Sequence, residues 1–117
     1  MLIISNNPLT WDGYPDSVRI EGTPLVVMRE VRNKVQRGMK LITHPLAGNI
    51  RLIGNPFRSV ALDGLFSEIS PEDLFFVEDA CYRLEQVDWT TASESSLKDY
   101  QFVDFDLLIA SFEASTV

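Results

Sequence analysis

The residue types that could do chemistry in this chain gather around two points. Asn6 and Asn7 follow an apolar opening run, Met1 to Ser5. Thr43 and His44 follow a second run, Met39 to Thr43. Both runs read as buried strands, and the order strand, edge strand, helix, strand favours a parallel pairing of the first with the third. In open α/β sheets ligands sit beyond the carboxyl ends of such strands. The expectation is therefore that Asn6, Asn7, Thr43 and His44 lie side by side. Gly48, Arg51 and Arg58 come next in the chain. Together these residues offer amide and hydroxyl hydrogen bonds, one titrating imidazole and two guanidinium groups. That set suits a small anionic or polar ligand.

Each residue also has a plainer role open to it. A strand-end histidine can simply bond a backbone carbonyl, paired asparagines can shape a turn, and the arginines can be solvated. Gly48 and Gly54 match neither phosphate-loop spacing. His44 is the one histidine, so it is the only plausible general acid or base, and Asp12 or Asp16 would have to orient it. A multi-histidine metal site is excluded, and no cofactor motif is present. The lone cysteine, Cys81, falls on an apolar helical stripe among acids, where a thiolate is disfavoured. Three readings stay open: a binding or accessory module, a small enzyme using His44, and a structural module that works only by protein contacts.

The elements that must position these residues read as β-β-α-β-β-α-β. Val18 to Glu21 alternates as an edge strand. Thr23-Pro24 opens a helix with Leu25, Met28, Val31 and Val35 at helical spacing, and Gly38 ends it. After Met39 to Thr43 the stretch from His44 to Phe57 is a long loop. Arg58 to Leu62 is the next strand. Ser70-Pro71-Glu72-Asp73 starts a second helix, with Leu74, Val77, Cys81 and Leu84 on its buried stripe. Thr90 to Ser96 reads as a polar loop. Gln101 to Ala110 alternates Asp104, Phe105, Asp106 and Leu107, and is expected to close the sheet as a strand. The fold class is then a small α/β domain, residues 1–117, with a partly parallel open sheet of about five strands, two main helices and a frayed tail over 113–117. Two helices would leave one sheet face poorly covered, which is a reason to form a homodimer.

Composition sets the outer bounds. The 117 residues are 45% hydrophobic and 23% charged, as in ordinary globular proteins, which excludes a fibre, a disordered tail or a disulfide scaffold. The net charge of −7 argues against nucleic acid or an anionic membrane as partner. Residues 1–61 carry eight basic and four acidic side chains, net +4; residues 62–117 carry two and thirteen, net −11. The halves either neutralise each other internally or dock between molecules. No run approaches the roughly 20 apolar residues of a membrane span. The apolar start is too short for a signal-peptide core, so a cytoplasmic location is expected.

Two stretches carry a resemblance to a known family. Ile3-Ile4-Ser5-Asn6-Asn7-Pro8-Leu9 resembles the (I)TNNP opening of the GrdX family. The segment from Gly38 to Gly48 resembles its G-x-K-L-x-T-H-P-L-x-G motif, and Pro56-Phe57-Arg58-Ser59 resembles its P-Y-[KR]-S. The chain departs from the family at Leu52-Ile53-Gly54-Asn55 and at Phe57, where the family has a Thr and a Tyr whose hydroxyls are lost here. GrdX-like proteins are encoded with the glycine, sarcosine and betaine reductases of anaerobic bacteria. The resemblance implies a cytoplasmic accessory protein with a partner in an amino-acid reductase system, rather than a named reaction.

Overall fold

The computed structural model describes residues 1–43, 54–89 and 93–115, with side chains as far as residue 112. It is a small α/β domain. Among the described residues the order is β1 (Leu2–Ser5), α1 (Pro8–Gly13), β2 (Val18–Arg19), α2 (Pro24–Gln36), β3 (Ser59–Leu62), α3 (Pro71–Glu85) and α4 (Glu94–Ser115). The sheet has three strands in the order β2-β1-β3. β1 pairs parallel with β2 and antiparallel with β3, so that Ser5 faces Ser59.

β1 is apolar on both faces because both faces are covered. Ile4 joins Val60, Leu62 and the inner stripes of α2 and α3, which include Val27, Val31, Val77 and Leu84. Ile3 points the other way, to Ala61 of β3 and Leu108 of α4. The two caps read from the sequence hold α2 and α3 in different ways. Ser70 Oγ accepts from the Asp73 N–H at 3.2 Å, whereas Thr23 occupies the N-cap of α2 without a side-chain bond. Gly38 ends α2 at φ +103, and a Cβ there would lie 1.9 Å from the Ser67 carbonyl oxygen. The basic α2 and acidic α3 face each other across Arg29–Glu85 at 4.0 Å and Arg32–Glu78 at 3.8 Å. Part of the charge asymmetry is thus met within the chain.

Three expectations are corrected. First, Gln101 to Ala110 is not a strand but the middle of α4. The alternation of Asp104 to Leu107 is local. Over a wider window Phe105, Leu108 and Phe112 recur at helical spacing, with Phe112 and Leu108 packed into one cluster. Ser93 starts the helix by accepting from the Ser96 N–H at 3.3 Å.

Second, Met39 to Thr43 makes only one antiparallel bridge, Leu41 to Leu62. Main-chain bonds from the Ile42 N–H to the Ala61 carbonyl at 2.9 Å and from the Asp63 N–H to the Lys40 carbonyl at 3.1 Å make that bridge, and side chains take the positions beside it. The Leu41 N–H donates to the Asp73 carboxylate at 2.9 Å, and the Ala61 N–H donates to Thr43 Oγ1 at 3.0 Å. The segment therefore lies along β3, and the expected parallel pairing with β1 does not form.

Third, Pro8 to Gly13 is a helix where a loop was expected. Asn7 caps it, accepting from the Leu9 N–H at 3.0 Å, and Pro8 fills the first helical position. Among the described residues the sheet accordingly has three strands rather than five, and α1 and α4 lie on the face that two helices alone would have left open.

Candidate functional site

The pairing of β1 with β3 brings the first and last family-like stretches together at one end of the sheet. Ser5 and Ser59 face each other, and their hydroxyls are 2.7 Å apart. Asn6 and Arg58 come next. The Arg58 N–H donates to Asn6 Oδ1 at 2.8 Å, and Asn6 Nδ2 donates to the carbonyls of Gly22 and Pro56 at 2.9 and 2.8 Å. One asparagine thus ties the end of β1 to the start of α2 and the approach to β3.

Asn7 turns the opposite way, to α4. Its Nδ2 donates to the Gln101 carbonyl at 2.9 Å and to Asp104 Oδ2 at 3.0 Å. Asn55 grips the neighbouring carbonyl of Tyr100 at 3.1 Å. Asp104 is 3% exposed and also accepts from Ser59 Oγ at 2.7 Å. Thr10 Oγ1 of α1 lies 2.8 Å from Ser59 Oγ. A hydroxyl has one proton and two acceptor sites. Ser59 spends its proton on Asp104, so Ser5 and Thr10 must both donate to Ser59. The result is a converging hydrogen-bond network in which every hydroxyl proton runs toward one carboxylate.

Two opposite charges are enclosed here. Arg58 is 1% exposed, and its Nη1 donates to the carbonyls of Asn55 and Phe57 at 3.0 and 2.8 Å. Burial lowers its pKa to about 10, against the pull of the Asp104 charge, and it stays cationic at neutral pH. Burial pushes the Asp104 carboxyl up, and the bonds from Asn7 and Ser59 and the Arg58 charge oppose that rise. The Cys81 thiol is likewise raised, mainly by burial, as its place on the inner stripe of α3 implies.

Asn6, Asn7 and Arg58 are therefore brought together, and both asparagine amides and Arg58 Nη1 are engaged with the protein. Thr43 is not beside them. β3 lies between, and Thr43 lines a shallow hollow of about 170 Å³ with Leu41, Ile42, Asp73 and Phe76. His44, Gly48 and Arg51 lie outside the described residues. A second hollow, of about 220 Å³, opens by Met1, Ile3 and the Gly13–Ser17 turn. Neither hollow is lined by Asn6, Asn7, Arg58 or Asp104. Among the described residues no three of His, Cys, Asp or Glu are grouped to hold a metal ion, and no helix is long and apolar enough to cross a membrane.

Sequence reasoning missed Ser5, Thr10, Asn55, Ser59 and Asp104. Only Asp104 carried a signal: it falls on the same helical stripe as Leu108, an acid where the apolar pattern leads inward.

The model of one protein family, described as GrdX-like protein, matches residues 2–113, nearly the whole chain. No curated protein and no solved structure matches.

Proposed function

The chain belongs to the GrdX-like protein family, and from that premise we propose that it is a cytoplasmic accessory protein of an amino-acid reductase system that works by binding. Its contact surface in this reading is the segment from residue 44 to 53, which carries His44, Gly48 and Arg51. Asn6, Asn7, Thr43 and Arg58 then act as positioning residues for the described residues that flank it in the chain.

One observation carries this reading. The described residues on either side of that segment are fastened by buried polar groups. On one side Thr43 Oγ1 holds the Ala61 N–H. On the other, Asn55 holds α4, Asn6 holds Pro56, and Arg58 holds Asn55 and Phe57. Burying this many polar groups is costly unless all are satisfied, and it yields little stability over an apolar core. Such a network specifies geometry, here the positions of Thr43 and of residues 54–58, the described residues that flank 44–53 in the chain.

The enclosure of Ser59 and Asp104 favours binding over catalysis at the network itself. A nucleophile needs a free lone pair to attack with and room for a substrate; both Ser59 Oγ lone pairs accept, from Ser5 and Thr10, and its neighbour Asp104 is enclosed. The ligand class that suits His44 and Arg51 is anionic or strongly polar, either a small molecule or an acidic loop of a reductase component.

Co-elution tests the partner side of the proposal. The protein is mixed with purified components of a glycine, sarcosine or betaine reductase and passed over a sizing column. The proposal expects the wild type to shift with one component and Arg51→Ala to elute alone. Unchanged elution with every component would remove the reductase partner from the account.

A further inference from the structure

The layer formed by α2 and α3 carries, on its outer side, aromatic side chains and both signs of charge in separate stripes. The helices run antiparallel, as the pairing of Arg29 with Glu85 and Arg32 with Glu78 requires. Their inner stripes are buried against the sheet. Outside, α3 shows Phe75 and Tyr82, 66% and 65% exposed and two helical turns apart on one ridge. Glu72 and Asp79 share that ridge. α2 shows Val26, 40% exposed, and then Arg29 and Asn33 on succeeding turns. With its C-cap Arg37, α2 holds four basic residues and one acid, net +3. α3 holds five acids and Arg83, net −4.

We propose that this face is where two copies of the chain meet, with a twofold axis laying the basic α2 of one protomer on the acidic α3 of its partner. A twofold contact must be self-complementary, because the same patch appears on both sides. Two parallel stripes of opposite sign satisfy that condition, and Phe75 and Tyr82 supply the aromatic centre such contacts favour. The intrachain pairs are no obstacle. The two pairs between the helices are long, at 3.8 and 4.0 Å, and the 2.9 Å pair of Asp79 with Arg83 on α3 is solvent-exposed, so each contributes little.

A basic amphipathic segment of another protein fits the face less well. It would match α3 but would lie against the net positive charge of α2 alongside. Two adjacent helices of this length present a footprint of roughly 20 by 20 Å. That is small for a stable interface, so the dimer is expected to be weak and to need concentrations well above nanomolar.

Sedimentation equilibrium over about 5 to about 500 µM tests this, a range set by that expectation of weak association. The mass is expected to rise from 13.2 kDa toward twice that value as concentration increases, and less so at high salt. The double variant Phe75→Lys with Tyr82→Lys, which sets two cations against the partner's basic α2, is expected to stay monomeric across the range. Arg29→Glu probes the same contact from the other helix and is expected to raise the dissociation constant at least about tenfold, a factor worth 1.4 kcal/mol. Phe102→Glu alters an exposed aromatic on α4 and should dimerise as the wild type does. A wild type that stays at 13.2 kDa throughout overturns the proposal. So does a folded double variant that dimerises normally, which would place the contact elsewhere. Neither result touches the binding reading of residues 44–53, which depends on ligand and partner titrations.

Discussion

Asn6 and Arg58, fifty-two positions apart, are joined through a 2.8 Å hydrogen bond from the Arg58 N–H to Asn6 Oδ1. The same asparagine donates its two amide hydrogens to Gly22 and Pro56. Three separate parts of the chain therefore meet on one side chain. Replacing it strands a buried donor and two acceptors, each costing about 1–3 kcal/mol when left unmade. Asn6→Ala is expected to lower the unfolding free energy in urea by about 2–4 kcal/mol. Asn6→Asp should also destabilise, because a carboxylate cannot donate to either carbonyl. A loss under 0.5 kcal/mol would mean that Asn6 is not the tie described here.

Asp104 gives a pH signature of definite sign. Its carboxyl is raised in the folded state by burial, so the folded protein holds this proton more tightly than the unfolded chain. Its contribution to stability is then fullest below the unfolded value near 3.9 and is lost as pH rises through the folded value. Asp104→Asn keeps an acceptor for Ser59 and Asn7 but has no proton to lose. Measured by urea unfolding from acid to neutral pH, the wild type should lose stability relative to Asp104→Asn as pH rises. A difference that is flat, or that slopes the other way, would show that the donors and Arg58 outweigh burial.

Truncating the same residue is expected to cost more. Asp104→Ala removes the acceptor shared by the Ser59 hydroxyl and the Asn7 amide, and the charge opposite Arg58. About 3–5 kcal/mol is typical when one partner of a buried charged pair is removed. Amide exchange should then accelerate in α4 before α2 and α3, because α4 is the element this network fastens. Uniform acceleration across all helices would contradict that role.

Gly38→Ala tests the turn that sets up Thr43. The position has φ +103, and an added Cβ would sit 1.9 Å from a main-chain oxygen, which no side-chain rotation can relieve. A loss of about 2–4 kcal/mol is expected, in the range of severe backbone effects. Near-wild-type stability would mean that the Gly38–Ser67 contact relaxes freely.

Much of the site's frame was legible from residue types, and the failures have physical causes. Asn6-Asn7 were expected beside Thr43 and His44 through a parallel pairing that does not form, and it is the antiparallel pairing of β1 with β3 that brings Arg58 to them. Their internal commitment could not be read, since an amide looks the same whether it faces a ligand or a carbonyl. Met39 to Thr43 has the composition of a strand and bonds β3 through its main chain, but Asp73 and Thr43 side chains take two neighbouring positions and the ladder stops at one bridge, which nothing local reveals. α4 was hidden by Asp104 itself. A buried acid on the inner stripe breaks the apolar periodicity and leaves a four-residue alternation that mimics a strand.

The central proposal is that residues 44–53 do the binding, with the buried network holding the described residues that flank them. The most direct measurement is thermal melting of the wild type, His44→Ala and Arg51→Ala against phosphate, acyl phosphates, nucleotides, glycine, sarcosine and betaine. A ligand at about 100 times its dissociation constant adds about 2.7 kcal/mol, a shift of roughly 10 °C for a chain of this size. The account predicts that one anionic or polar ligand raises the wild-type Tm, and that both variants melt as the wild type does without ligand but lose the shift. Variants that keep the full shift would contradict it, because binding would then lie outside residues 44–53.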